Sequence, residues 1–146
     1  MAVTDDQVAT LRAQLVGNTE EHVRLLGRLD PVAAQAGLRA LISAAFFTAA
    51  ERRFGTGNST AADVIEFVGS LRSRFDSAAS DIDPRIAERL LLAAVSDEQI
   101  SDLDPKTSFT TQHLLLAALV ADAQLDMAAL DEFLGQSRKL ADQWLA

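Results

Sequence analysis

Few side chains of this 146-residue chain could do chemistry, and their spacing matches no metal site. The chain has two histidines and no cysteine, which excludes disulfides, thiol catalysis and cysteine-based zinc sites. His22 and His113 are each preceded by a threonine three positions earlier, Thr19 and Thr110. Carboxylate-bridged metal sites in helical bundles need a glutamate at that position. The histidines therefore predict no metal centre.

Two aspartate-rich segments begin like calcium loops but lack the remaining ligands. Asp102-Leu103-Asp104 runs into Pro105, and Asp81-Ile82-Asp83 runs into Pro84. A calcium loop needs further oxygen ligands and a glycine at these points. The glycines of 55–57 also lack the third glycine and the lysine of a phosphate loop. We interpret the aspartates as helix caps, and we expect no cofactor and no dependence on metal.

The sequence also lacks a catalytic signature. Nucleophilic catalysis needs Ser or Thr beside a histidine that an acid orients, and no serine lies in the glycine-bearing elbow of a catalytic nucleophile. The carboxylate pairs Glu20-Glu21 and Asp131-Glu132 are adjacent in sequence, so their side chains diverge by about 100° on a helix. These observations predict a protein that is not an enzyme.

One stripe of side chains is a candidate binding surface. Gln35, Arg39 and Ser43 are spaced by four and lead into Phe46 and Phe47. This face either meets solvent or forms a groove in which Arg39 binds a carboxylate of the protein or of an anionic ligand. A guanidinium suits the second role because it binds carboxylates bidentately.

These candidates lie on a long apolar segment that we expect to be the central helix, 31–54. Asp30-Pro31 supplies an N-cap and a first helical residue. Arg52-Arg53 suits the last turn, where cations meet the negative end of the dipole. Gly55 suits a left-handed C-cap. The segment Leu38–Ala50 is nearly free of charge and is predicted to be the most buried part of the chain.

Helical periodicity predicts six or seven helices in one all-α domain covering 1–146, a compact bundle around the central helix. Thr4 with Gln7 has the spacing of a capping box for the first helix, and Thr19 is the expected cap of the second. The other predicted helices are 61–75, 84–96, 111–124 with Thr110 as cap, and Met127–Leu145. The second helix should turn three residues inward: Val23, Leu26 and Leu29. The last should bury one face: Met127, Leu130, Phe133, Leu134, Ala141 and Trp144.

Charge and hydropathy exclude two classes of partner. The formal net charge is −8, so the basic footprint of a nucleic-acid binder is missing. The acidity is concentrated in residues 85–146, with ten acidic and five basic side chains, whereas residues 1–55 carry six of each. The longest apolar run, Leu114–Ala121, is too short to span a bilayer. We expect a soluble, cytoplasmic protein that binds neither nucleic acid nor membrane.

The hydrophobic fraction of 49% is more than the single core of a small helical protein accommodates, and two functional hypotheses follow from it. The first is a non-enzymatic protein-interaction module that forms a homodimer, in which Trp144 either packs on its own domain or fills a pocket of a second copy. The alternative is a sensor or carrier of a small apolar or anionic molecule. Its pocket would be lined by four rings: Phe46, Phe47, Phe67 and Phe75. His113 is expected at the rim of the core, hydrogen-bonded to a loop.

Overall fold

A computed structural model describes residues 2–55, 57, 60–74, 82–96 and 100–146. Over these ranges the chain forms seven α-helices and no strand, which confirms the predicted all-α class. The helices, in chain order, are α1 (Asp5–Leu15), α2 (Thr19–Leu26), α3 (Pro31–Phe54), α4 (Ala61–Arg74), α5 (Pro84–Ser96), α6 (Pro105–Ala123) and α7 (Met127–Leu145). No helix in the described ranges is long and apolar enough to cross a membrane.

Two compact units can be distinguished along the chain. The first combines Met1–Thr48 with Val120–Ala146, and the second is the continuous segment Ala49–Leu119. Helices α3 and α6 each contribute residues to both units. The prediction of one domain stays a prediction.

Helix α3 has the predicted bounds and length, 24 residues. Its start is fixed by Asp30, whose Oδ1 accepts from the backbone N–H of Val32 at 3.1 Å. The fully buried residues of α3 lie within the predicted segment and are Leu41, Ala44, Ala45, Phe46 and Ala50. Small alanines beside Leu41 and Phe46 let neighbouring side chains approach the helix closely, so α3 supplies core residues along much of its length.

The end of α3 differs from the prediction at Gly55. This residue does not adopt the left-handed conformation, which among the described glycines is found at Gly17 and Gly57. The Gly55 N–H instead donates to the carbonyl of Glu51 at 2.8 Å, as in a continuing helix. A side chain at position 55 would clash with that carbonyl, so glycine is required here for close approach and not for its φ.

The starts of α1 and α2 are set by side-chain caps. Thr4 and Gln7 form the predicted capping box, with the Thr4 N–H donating to Gln7 Oε1 at 3.0 Å. The predicted cap of α2 is wrong by one residue, because Asn18 and not Thr19 accepts from the Glu21 N–H, at 3.2 Å. Asn is the stronger cap of the two, since its carbonyl reaches the free amides of the first turn.

Helix α6 starts at Pro105, six residues before the predicted start, so Thr110 lies inside the helix and is not its cap. The cap is Asp104, whose Oδ2 accepts from the Thr107 N–H and from the Thr107 hydroxyl, each at 3.0 Å. All three Asp-Pro pairs of the chain therefore precede a helix, as the interpretation of the aspartates as caps predicted.

Substitutions at positions 104 and 110 distinguish the observed start of α6 from the predicted one. We expect Asp104→Ala to lower the free energy of unfolding by about 1 kcal/mol, because it removes the cap of the free N–H groups. Thr110→Ala should leave stability unchanged or raise it slightly, since alanine has the better helix propensity. Urea unfolding of both variants measures the difference, and a larger loss at Thr110 would contradict the observed start.

The remaining helices follow the predicted periodicity with one correction. Helices α4 and α5 have nearly the predicted bounds, and residues 75–81 between them lie outside the described residues. Helix α7 buries four of the six residues predicted for one face: Leu130, Phe133, Leu134 and Ala141. Met127 and Trp144 are exposed, because they occupy the two ends of the helix, where fewer neighbours cover a side chain.

Candidate interaction surfaces

Three aromatic rings of the first unit contact one another in succession, from its core to its surface. The rings of Phe46 and Phe47 meet edge to face with centroids 5.6 Å apart, and Phe47 makes a similar contact with Trp144, also at 5.6 Å. Phe46 is fully buried, Phe47 is half-buried, and Trp144 is 47% exposed. Trp144 thus packs on its own unit and also presents about half of its surface to solvent.

The polar stripe of α3 is exposed over its first part. Gln35 and Arg39 are exposed and Ser43 is half-buried, before the helix becomes buried at Phe46. Both interpretations of this stripe stay predictions. The described residues also contain no cluster of three or more metal-ligating side chains.

The two histidines have different surroundings. His22 lies in the first turn of α2, and its Nδ1 is 2.9 Å from the carbonyl oxygen of Thr10. Because a carbonyl only accepts, this contact requires the proton on Nδ1, and it joins α2 to α1. His113 is half-buried beside the ring of Phe109, one turn earlier, with centroids 6.1 Å apart. It is not in the first turn of α6, since that helix starts at Pro105.

The four rings expected to line a pocket are distributed over the chain. Phe46 and Phe47 belong to the first unit, and Phe67 belongs to the second, whereas Phe75 lies outside the described residues. Phe67 packs edge to face on Phe54 at 5.7 Å, and the Arg53 guanidinium lies 5.5 Å from its ring. The carrier hypothesis stays a prediction.

Helix α2 exposes the residues that the sequence analysis turned inward. Val23 is 61% exposed and Leu26 is 45% exposed, and no residue of α2 is buried. The prediction for these two side chains is therefore wrong. Helix α2 is joined to α1 through His22, whose ring bonds to the carbonyl of Thr10. Val23 and Leu26 are three residues apart, so they lie next to each other on the helix, and Leu26 lies one turn after His22 on the same side.

Two further exposed aliphatic residues flank α2 in the sequence. Val16, the C-cap of α1, is 45% exposed, and Val32 in the first turn of α3 is 82% exposed. We call Val23 and Leu26 the α2 surface. Sequence periodicity identified an apolar edge on α2, but it could not indicate that neighbouring helices leave this edge uncovered.

Two exposed ion pairs shift the pKa values of their carboxyl groups. Arg24 donates to both oxygens of Glu21 on α2, and this hydrogen bonding lowers the pKa of Glu21 and raises that of Arg24. Arg89 binds both oxygens of Asp102, at 3.1 and 2.7 Å, and lowers the pKa of Asp102. Fully exposed pairs contribute little to stability, because water screens them. The Glu21–Arg24 pair also shows that the polar side of α2 carries charges of both signs.

Comparison with known proteins gives no match. No family model matches the chain, and no curated protein or solved structure is significantly similar to it. The function is therefore inferred from the chemistry of the chain's own surfaces.

Proposed function

We propose that this chain is a non-enzymatic helical protein-interaction module that self-associates through the α2 surface. The observation that carries the proposal is the exposure of Val23 and Leu26 on a helix with no buried residue. Burial of a Val or Leu side chain is worth about 1.5–3 kcal/mol. An eight-residue helix is also too short to be stable alone in water. A partner that covers this edge would thus both bury apolar surface and stabilise α2.

The charge distribution supports a second copy as the partner. The chain carries a net charge of −8, but residues 1–55 contain six acidic and six basic side chains. Two copies that meet at α2 therefore bring together segments in which acidic and basic side chains balance. A two-fold axis places the same patch on both copies, so Glu20 and Glu21 of one helix can approach Arg24 and Arg28 of the other.

Charge introduced into the α2 surface tests the proposal. We expect the parent chain to dimerise at tens of micromolar in analytical ultracentrifugation. Val23→Glu combined with Leu26→Glu should weaken the dimer at least tenfold, because two carboxylates would have to be buried against their own copies. Added salt should strengthen the parent dimer, since it screens the repulsion between two copies of net charge −8.

The control is Ile65→Glu on α4. Ile65 is also exposed, at 53%. The other α4 side chains that the structure describes as exposed are small or charged, so none of them adds a large apolar group beside Ile65. Ile65→Glu should associate like the parent chain. A parent that is monomeric at these concentrations would refute self-association. A dimer that the α2 substitutions leave intact would show that the dimer does not form through the α2 surface. Trp144→Ala would then test whether the exposed ring lies in the interface.

A further inference from the structure

Helix α7 binds both backbone groups of Val3, near the start of the chain. The Val3 N–H donates to Asp142 Oδ1 at 2.7 Å, and Arg138 Nη2 donates to the Val3 carbonyl at 2.7 Å. Arg138 and Asp142 are four residues apart, so they lie one above the other on the same side of α7. Between them in sequence, Ala141 is fully buried.

The same helix face also contacts the side chain of Asp5, two residues further along the chain. The Val3 side chain is buried, and Arg138 Nη1 lies 2.6 Å from Asp5 Oδ1. Thr4, between them, has extended backbone angles (φ −91°, ψ 159°) and an exposed side chain. Contact with every second residue is the manner in which proteins bind extended peptides, with backbone bonds for affinity and pockets for specificity.

The cap of α1 does not include Val3. The helix is capped by Thr4, whose bonds to Gln7 involve neither Val3 nor α7. The Arg138–Asp5 ion pair is exposed on the carboxylate side and therefore weak. The contacts that hold Val3 are thus independent of the contacts that start the first helix.

We propose that the face of α7 around Arg138, Ala141 and Asp142 is a binding site for an extended segment of a partner protein. The segment has an aliphatic residue followed two positions later by an acidic residue. In the isolated chain Val3–Asp5 fills the site and competes with that segment. This site is separate from the α2 surface, and its test has a different readout.

A labelled peptide with the sequence of residues 2–7, blocked at both ends, tests this site by fluorescence anisotropy. The full-length parent chain should bind it weakly, because its own Val3 competes. Full-length Val3→Asp, which would put a carboxylate in place of a buried apolar side chain, should release the site and bind the peptide at least tenfold more tightly. Addition of Arg138→Ala to Val3→Asp should remove most of this gain.

The peptide itself provides matched controls. Asp5→Asn in the peptide should weaken binding to the Val3→Asp chain, whereas Thr4→Ala should not, because the side chain of Thr4 is exposed. Equal binding by the parent and Val3→Asp chains, or no effect of Arg138→Ala, would overturn the proposal. If circular dichroism shows that Val3→Asp is unfolded, the binding measurement is repeated with Val3→Ala. If that variant also unfolds, the segment is a structural element and the proposal is wrong.

Discussion

Phe46→Ala and Leu41→Ala are each expected to lower the free energy of unfolding by about 2–5 kcal/mol, the range for truncation of a fully packed side chain. Both residues have no exposed surface, and the Phe46 ring also contacts Phe47. Truncation removes apolar contacts and leaves a cavity that neighbouring helices fill only in part. The single tryptophan, Trp144, reports on this region through its contact with Phe47, so urea unfolding followed by its fluorescence gives the measurement.

Val32→Ala is the control for these two substitutions. It also removes aliphatic carbons from α3, but at a side chain that is 82% exposed. Its effect should stay within about 0.5 kcal/mol, as for most surface substitutions. A loss below about 1 kcal/mol at both Leu41 and Phe46 would show that this segment of α3 is not the core of the first unit.

Gly37→Ala is expected to destabilise the chain by about 1–3 kcal/mol, although alanine is the better helix former. A Cβ at position 37 would lie 2.7 Å from Gln7 Nε2 and 2.8 Å from Gln7 Cδ. Gln7 is buried and its Oε1 accepts from the Thr4 N–H. The side chain therefore cannot move aside without breaking the capping box of α1.

Gly135→Ala on α7 and Gly69→Ala on α4 are the matched controls. A Cβ at either position would meet no atom within 4 Å, and both glycines are exposed in helices. Each substitution should raise the free energy of unfolding by about 0.5–1 kcal/mol, because alanine loses less backbone entropy on folding. If urea unfolding shows Gly37→Ala to be as stabilising as these two, the contact with Gln7 is not a constraint. Gln7→Ala in the Gly37→Ala background should relieve the clash.

Local chemistry explains which parts of the fold the sequence predicts. The Asp-Pro pairs at 30 and 83 place two helix starts correctly, because both residues act on the first turn alone. Thr110 misled the prediction for α6, since threonine occurs inside helices as well as at their caps. Gly55 misled it for a related reason: a glycine at the end of a helix is needed either for a positive φ or for close approach, and composition does not distinguish them.

The candidate surfaces depend on packing between distant segments. The spacing of Val23 and Leu26 predicts an apolar edge on α2, but burial depends on what lies opposite that edge. Only the position of α1 decides that His22 packs inward and these two residues do not. The Val3 contacts with Arg138 and Asp142 carried no sequence signal, because they use backbone groups that every residue possesses.

The division of the first unit between Met1–Thr48 and Val120–Ala146 has a consequence for synthesis on the ribosome. Val3 and Asp142 are 139 positions apart, so their hydrogen bond closes almost the whole length of the chain. Helical proteins usually fold quickly because their contacts are local. Here α1 and α3 are synthesised before α7, so the buried Val3 and the ring of Phe47 lack their contacts with α7 during translation. Nascent chains that end before α7 should therefore be good substrates for a ribosome-associated chaperone.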